Sequence, residues 1–379
     1  MRRVFAALAL GLGLGAGAAH ATPPAPLDPV RFSFPGSMPM PGSATSAGLA
    51  LADRWLGTEP FDNPAWAPRR AGSVAPLLLH SNRQDLRAAN RDFSDETAYV
   101  DFAGAWAGTS LGRVGLAAYL QQPVLRLEDN AYTVGNALSP TSGSVVSSTS
   151  ARELRAGVLG SLPLGRVRAG VALEWTHRDD VYQADVEDGS PNSGTTRLEL
   201  SGSGVGGSAG LRFDGQFLGR ALGAGAAWRY VPELSLDVTQ RADLISGSST
   251  ASMPSTRAAG WEGGASVRWL VDPAFALLAG GGARGAQDWS GLGVTTGAGS
   301  SWALAGEYHD ARDPWTLRFG GGAEQQSGVP EARDGVYGLG FGWLFGTVAA
   351  EVGLTHRVIE RAAAPHSYEE RIVATLRWH

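Results

Sequence analysis

Six arginines fall on the polar side of alternating segments: Arg155, Arg168, Arg212, Arg229, Arg268 and Arg318. A guanidinium matches a carboxylate bidentately. On the wall of an enclosed space, such residues would grip an acidic head group. Two of the six have an opposite charge close by. Arg155 is expected roughly opposite Glu174, and Arg318 near Glu307, so these pairs are expected to neutralise one another. Arg212, Arg229 and Arg268 lack a partner across their own hairpins and are the stronger candidates. The histidines offer a different chemistry. His177-Arg178-Asp179 and His309-Asp310 pair a base with an acid, as general acid–base catalysis requires. They lie at expected strand ends or loops, near no serine motif, as do His80, His356, His366 and His379. No His spacing matches a metal motif. The glycine runs at 280–282 and 320–322 sit inside strand patterns, so no phosphate loop is read there. No catalytic residue, metal or cofactor is expected.

The elements that carry these residues alternate with period two, as a strand with two unlike faces must. Val167, Ala169, Val171, Leu173 and Trp175 make one face; Arg168, Gly170, Ala172, Glu174 and Thr176 make the other. The pattern recurs at 261–269, 315–324 and 347–355. The second face is mostly Gly, Ala and Ser with single charges, which suits a crowded lumen better than a solvated sheet. Charged residues are 18% of the chain, against roughly 25% in soluble proteins. No mature segment approaches the ~18 apolar residues of a membrane helix. A chain this apolar, spanning a bilayer without helices, must close into a barrel. The 31 basic residues are all Arg and form no block, so nucleic acid is not an expected partner. There is no Cys, which excludes disulfides and thiolate metal sites.

The expected fold is an all-β transmembrane antiparallel barrel of about fourteen strands. The strands are read near 73–80, 98–107, 113–122, 152–162, 166–176, 203–213, 221–238, 258–270, 275–284, 300–310, 314–325, 335–344, 346–357 and 369–378. Short turns (108–112, 163–165, 214–219, 271–273, 311–313, near 345) alternate with long polar links such as 124–151, 177–202 and 239–257. Two aromatic girdles are expected. Trp106, Trp269, Trp315, Trp343 and Trp378 would form one; Tyr119, Trp175, Tyr230, Trp261 and Trp302 would form the other. The last strand alternates and ends Trp378-His379. At the other terminus, Arg2 and Arg3, an apolar run from Val4 to Ala19 and the small-x-small site Ala19-His20-Ala21 read as a signal peptide. The division is 1–21 signal peptide, 22–72 plug segment and 73–379 barrel. Phe32, Phe34, Met38, Met40, Leu49, Leu51, Trp55, Phe61 and Trp66 give the plug segment apolar surface without a regular period.

One set of residues resembles a known family. Ser46-Ala47-Gly48-Leu49-Ala50-Leu51-Ala52-Asp53, followed by Phe61-Asp62-Asn63-Pro64-Ala65, is similar to the hatch of the FadL/TodX-type outer-membrane transporters. In that hatch an A-x-A-D stretch precedes N-P-A. Asp313-Pro314-Trp315-Thr316-Leu317-Arg318 and Gly328-Val329-Pro330 resemble its late strand and the loop after it. The chain departs from the family in a short third long loop and in the single acid Asp53. The resemblance implies a fourteen-stranded, plugged barrel in the bacterial outer membrane. It implies passive uptake of hydrophobic small molecules, either long-chain fatty acids or aromatic hydrocarbons. Outer-membrane lipid and the barrel assembly machinery would be its other partners. Phe61, Asn63 and Pro64 would belong to the hatch beside the substrate path. Pro123 interrupts the third strand, where the family has a kink that opens a side exit. A secretion scaffold and a general porin are the alternative readings.

Overall fold

The computed structural model describes residues 41–66, 71–84, 101–136, 139–187, 193–290, 294–309, 312, 314–327, 332–361 and 367–378. The expected signal peptide, residues 22–40 of the expected plug, Gly328–Pro330, His366 and His379 lie outside them. The described chain is one short helix, α1 (Ala44–Gly48), followed by strands. The first six strands are β1 (Ala71–Gln84), β2 (Asp101–Leu111), β3 (Val114–Asn136), β4 (Ser139–Leu164), β5 (Val167–Glu187) and β6 (Gly194–Phe217). Then come β7 (Arg220–Val231), β8 (Leu234–Leu244), β9 (Gly247–Arg257), β10 (Gly260–Leu270), β11 (Phe275–Arg284) and β12 (Gln287–Ser290). The last six are β13 (Val294–Thr296), β14 (Gly299–His309), β15 (Trp315–Gln326), β16 (Ala332–Phe345), β17 (Val348–Arg361) and β18 (Ser367–Trp378).

The sheet closes on itself, because β1 pairs with both β2 and β18. Four pairs of segments continue one another: β7 into β8, β9 into β10, β11 into β12 and β13 into β14. Gly260↔Val231 and Leu234↔Arg257, for example, keep one register across the break. The wall is therefore a fourteen-strand antiparallel barrel, as the alternation required. The short turns gather at one end, where Gly72 pairs with Trp378. One of them, Leu218-Gly219, has positive φ at both residues (51° and 73°). That is the turn whose twist matches a hairpin.

The outside of the wall is apolar. Val171, Leu173 and Trp175 on β5, Leu339, Phe341 and Trp343 on β16, and Leu376 and Trp378 on β18 are all exposed. A water-soluble protein does not expose a belt of this extent; a bilayer covers it. The opposite positions face inward and are buried, among them Glu174, Thr176, Arg229 and Thr375.

Three expectations need correction. Trp106 and Tyr119 do not join the girdles. They turn inward, buried, where Trp106 Nε1 donates to Glu59 and Tyr119 Oη to Glu174, both at 2.5 Å. Residues 114–120 are apolar or glycine on both faces, so the pattern there cannot choose a side. Within the links 124–151 and 177–202, the described residues 124–136, 139–151, 177–187 and 194–202 are strand. β3 and β4 stay paired out to Asn136↔Ser139, and β5 and β6 to Val186↔Gly194. In β6 and β8 the sense of the alternation reverses there: Leu198, Leu200, Leu234, Leu236 and Val238 turn inward and pack together with Tyr182 and Trp289, while the polar alternates face out. The lumen is also denser in charge than single strands suggested, as the site shows.

Candidate functional site: the barrel interior

Residues 41–66 lie inside the barrel and touch its wall on all sides. Ser43 caps α1 by accepting from Ser46 N at 3.3 Å. Leu49, Ala50, Phe61, Asn63 and Ala65 are almost fully buried. The segment sits this close because the wall opposite it is built of glycine. A Cβ on Gly353 would stand 2.3 Å from Ala44 O, and one on Gly170 would stand 2.0 Å from Pro64 O. Here glycine permits an approach that no side chain would.

Polar bonds then fix the segment. Asn63 Nδ2 donates to Trp55 O at 2.6 Å, Leu211 O at 3.1 Å and Ala226 O at 3.3 Å. Asn63 Oδ1 accepts from Ala65 N at 2.9 Å. Ala44 N donates to Thr375 Oγ1 at 2.8 Å and Thr45 Oγ1 to Glu351 at 2.8 Å. Arg377 pairs with Glu59. Phe61 packs edge-on to Tyr119, and its carbonyl accepts from Arg229. Ser161 Oγ donates to Trp66 O at 2.7 Å, beside the carbonyls of Pro64 and Ala65.

Asp62 is the exception in this segment. It is buried, and its one cation in range is Arg54, at 4.0 Å. Burial pushes its carboxyl up to about 8, with Arg54 and then Arg229 opposing more weakly. The folded protein thus holds this proton far more firmly than the unfolded chain, whose value is 3.8. The stability this lends the segment is whole below pH 3.8 and is lost as pH rises towards about 8. Protease protection of residues 41–66 is expected to fall between about pH 4 and 8 in the wild type, and to fall less in Asp62→Asn, where Asp53 and Glu59, also raised by burial, still titrate. An equal fall in both proteins would show that Asp62 is not responsible.

The lumenal charges form one connected array. Glu262 binds Arg229 at 2.6 Å, Arg54 at 2.8 Å and Arg155 at 3.3 Å. Glu153 binds Arg257 at 2.7 Å, Arg155 at 3.1 Å and Arg178 at 3.7 Å. Arg229 also holds Glu174 at 2.9 Å, and Arg178 holds Asp180 at 2.8 Å. Arg178 and Arg257 both lie over the Trp289 ring. Each contributing strand supplies one to three of these groups, and the N-terminal segment supplies Arg54. Adjacent strands stack them at one level, which is why a lumen that reads as thinly charged is locally charge-dense. Between this array and the N-terminal segment lies a cavity of about 100 Å³, lined by Trp55, Pro123 and charged groups.

The expected site residues are placed as follows. Phe61, Asn63 and Pro64 are together in the N-terminal segment, against β5, β6 and β7. Arg229 lies at the hub of the array. None of the three favoured arginines is unpaired, which corrects the reason for favouring them. Arg212 binds Asp214 two residues along its own strand, at 3.0 Å, and donates to Gly57 O at 3.2 Å. Arg268 binds Glu307 at 2.8 Å, two strands away. Both lie apart from the cavity. The partner of Arg268 lies on the next strand but one, outside a hairpin view, whereas Glu262 stands directly opposite Arg229 on the adjacent strand and Asp214 lies on the strand of Arg212 itself. Glu307 and Arg318 do pair, at 2.9 Å, whereas Arg155 bonds Glu153 and Glu262 rather than Glu174. Sequence reasoning missed Arg54, Glu153, Arg178, Arg257 and Glu262 as a group. Arg178 and Arg257 fell in segments read as links, and their one visible signal was period-two spacing to Asp180 and Ser255. His177 Nδ1 lies 2.9 Å from Ser203 Oγ on the exposed rim, and His309 lies beside Thr316.

No protein-family model matches the sequence, and no curated protein matches it. Solved structures do. A Pseudomonas aeruginosa FadL homologue aligns with a TM-score of 0.65 at 11% identity, covering 90% of this chain and 99% of its own. The Ralstonia pickettii toluene transporter TbuX gives 0.62 at 13%, covering 89% and 98%. CymD, a monoaromatic hydrocarbon channel, gives 0.60 at 12%, covering 89% and 96%. At these identities the likeness is one of fold, and at that level the resemblance read from the sequence holds.

Proposed function

We propose that this barrel, which has the fold of the FadL and TodX channels, is an outer-membrane channel for passive uptake of hydrophobic small molecules, with residues 41–66 as its plug. An open aqueous pore gives an apolar solute nothing, since it still meets water. A plug lining the path offers apolar surface instead, worth about 25 cal/mol per Å² covered. Phe61, Asn63 and Pro64 hold that plug against the wall, and Arg229 ties it to the array.

The observation that carries the reading is a break in the wall. The β2–β3 ladder ends at Gly104↔Gln121, although β2 begins at Asp101. The β3–β4 ladder skips between Gln121 and Val124. Pro123 sits in that gap; it has no N–H to donate and is confined to edges and bulges. Pro123 and Val124 also line the cavity, and this position beside the interior supports a side exit towards the lipid-facing side of the wall. A solute that has left water can pass there without meeting it again. The charge-dense lumen does not favour a general porin, because its charges are paired and residues 41–66 occupy the space a hydrophilic solute needs.

Pro123→Val restores a donor and a good strand former at this point. Toluene uptake into proteoliposomes is expected to fall about tenfold, a loss of ~1.4 kcal/mol in transition free energy, with the barrel still folded by heat-dependent gel mobility. Undiminished uptake would remove the side exit from the proposal. Failure of the wild type to admit toluene at all would remove the channel.

A further inference from the structure

The short-turn end of the barrel is anchored differently on its two sides. Of the girdle expected there, Trp269, Trp315, Trp343 and Trp378 stand on β10, β15, β16 and β18. Trp106, on β2, is turned inward to Glu59. From β2 to β7, therefore, no indole of the described residues faces out at this end. The three hairpin turns of that arc carry one repeated sequence instead: Leu111-Gly112-Arg113, Leu164-Gly165-Arg166 and Leu218-Gly219-Arg220. In each the glycine has positive φ (62°, 69° and 73°). The chain reverses within two residues, since Leu111 pairs with Val114, Leu164 with Val167 and Phe217 with Arg220. Leucine and arginine are thus held together at each tip. Leu111, Leu164 and Leu218 are 73%, 58% and 75% exposed. Arg113, Arg166 and Arg220 are exposed too, and their guanidiniums meet no carboxylate among the described residues. Behind them Arg168 stands directly opposite Arg212, and Asp214 is taken by Arg212. The other short turns differ. Val271–Ala274 holds Asp272, Phe345–Val348 holds no charge, and Arg312 lies in sequence between Asp310 and Asp313.

In water this arrangement gains nothing. A leucine at φ 51°, as Leu218 is, is in a conformation unfavourable to a bulky side chain, and it wins no burial in return. At a headgroup layer both members of each tip find a partner. Acyl chains cover the leucine, and a guanidinium takes a phosphate bidentately while its stem lies along apolar surface. Short turns mark the periplasmic end of outer-membrane barrels, where the leaflet is phospholipid. We infer that the β2–β7 arc is a binding surface for anionic phospholipid of that leaflet, with Arg113, Arg166 and Arg220 on headgroup phosphates and Leu111, Leu164 and Leu218 on the chains beside them. On this side of the barrel guanidiniums do what indoles do on the other, and they add a preference for net negative lipid. The inference rests on the barrel and its exposed turns, not on what passes through the lumen.

Native mass spectrometry of the full chain in a non-ionic detergent tests this. The probes are dioleoyl phosphatidylglycerol and dioleoyl phosphatidylcholine, which share their chains and differ in net charge. One basic residue beside an anionic lipid surface is worth roughly fivefold in affinity. The wild type is therefore expected to bind phosphatidylglycerol at least tenfold more tightly than phosphatidylcholine. The triple variant Arg113→Gln, Arg166→Gln, Arg220→Gln should bind the two lipids alike, and the triple change to lysine should keep part of the preference. All three positions are exposed turn tips, and heat-dependent gel mobility reports whether the barrel is intact. Arg197→Gln with Arg241→Gln removes charge from exposed positions at the far end and should leave the preference as it is. Equal binding of both lipids by the wild type would overturn the inference and leave the arc to an acidic protein partner. A preference that survives in the glutamine triple would overturn it as well. So would an equal loss in the far-end double variant, because net charge alone would then account for the binding.

Discussion

Gly170→Val is expected to convert a closed barrel into a leaking one. The new Cβ would fall 2.0 Å from Pro64 O and 2.6 Å from Ala65 N. These are backbone atoms, so no side chain can swing aside. Overpacking of this kind costs about 1–3 kcal/mol, and it falls on the plug rather than on the wall. Within β5, valine is a better strand former than glycine, and Val171 on the same strand already faces outward. The wall should fold and the plug should leave its seat. In planar bilayers the single-channel conductance is expected to rise at least tenfold, and trypsin should cleave at Arg54, whose side chain is 12% exposed in the wild type and should resist cleavage there. Wild-type conductance together with a protected Arg54 would mean that residues 41–66 do not seal the lumen. Gly353→Val, 2.3 Å from Ala44 O at the other end of the segment, should behave alike, because both sites test one seat.

The second large effect is expected at Arg229. Its guanidinium holds Glu174 at 2.9 Å and Glu262 at 2.6 Å, and donates to the Phe61 carbonyl. Removing one member of a buried ion network strands the others, at a cost of about 3–5 kcal/mol. Arg229→Met keeps the length and deletes the charge. It should lower the guanidinium midpoint of unfolding in detergent and speed hydrogen exchange at Asn63 and Ala65. Arg229→Met combined with Glu174→Gln should recover part of the loss, because the second change removes the orphaned carboxylate. No recovery would mean that Arg229 acts by packing alone, and no loss would mean that the array does not hold the plug.

Much of the candidate site was within reach of pattern reading, and its omissions have causes. Asn63 and Pro64 were found through a local motif, and their partners, Leu211 O and Gly170, lie on the next two strands of one sheet. The Pro123 break followed from the chemistry of a single residue, which has no N–H wherever it stands. The Glu262 and Glu153 hubs were beyond reach. Each adds to a cross-strand pair, Glu262 with Arg229 and Glu153 with Arg178, arginines that reach it only in the closed barrel: Arg54 from the N-terminal segment and Arg155 from β4 at Glu262, and Arg257 from β9 at Glu153.

By itself, the order of residues determined that this chain is a fourteen-strand barrel with an oily outside, because period-two alternation is a local property and each strand repeats it. It also determined which end carries the short turns. Only the tertiary structure decided which way Trp106 and Tyr119 point, which acid each arginine meets, and how much charge one level of the lumen collects. Those depend on how fourteen strands are staggered when the sheet closes, and stagger is set by the whole ring of hydrogen bonds rather than by any one segment.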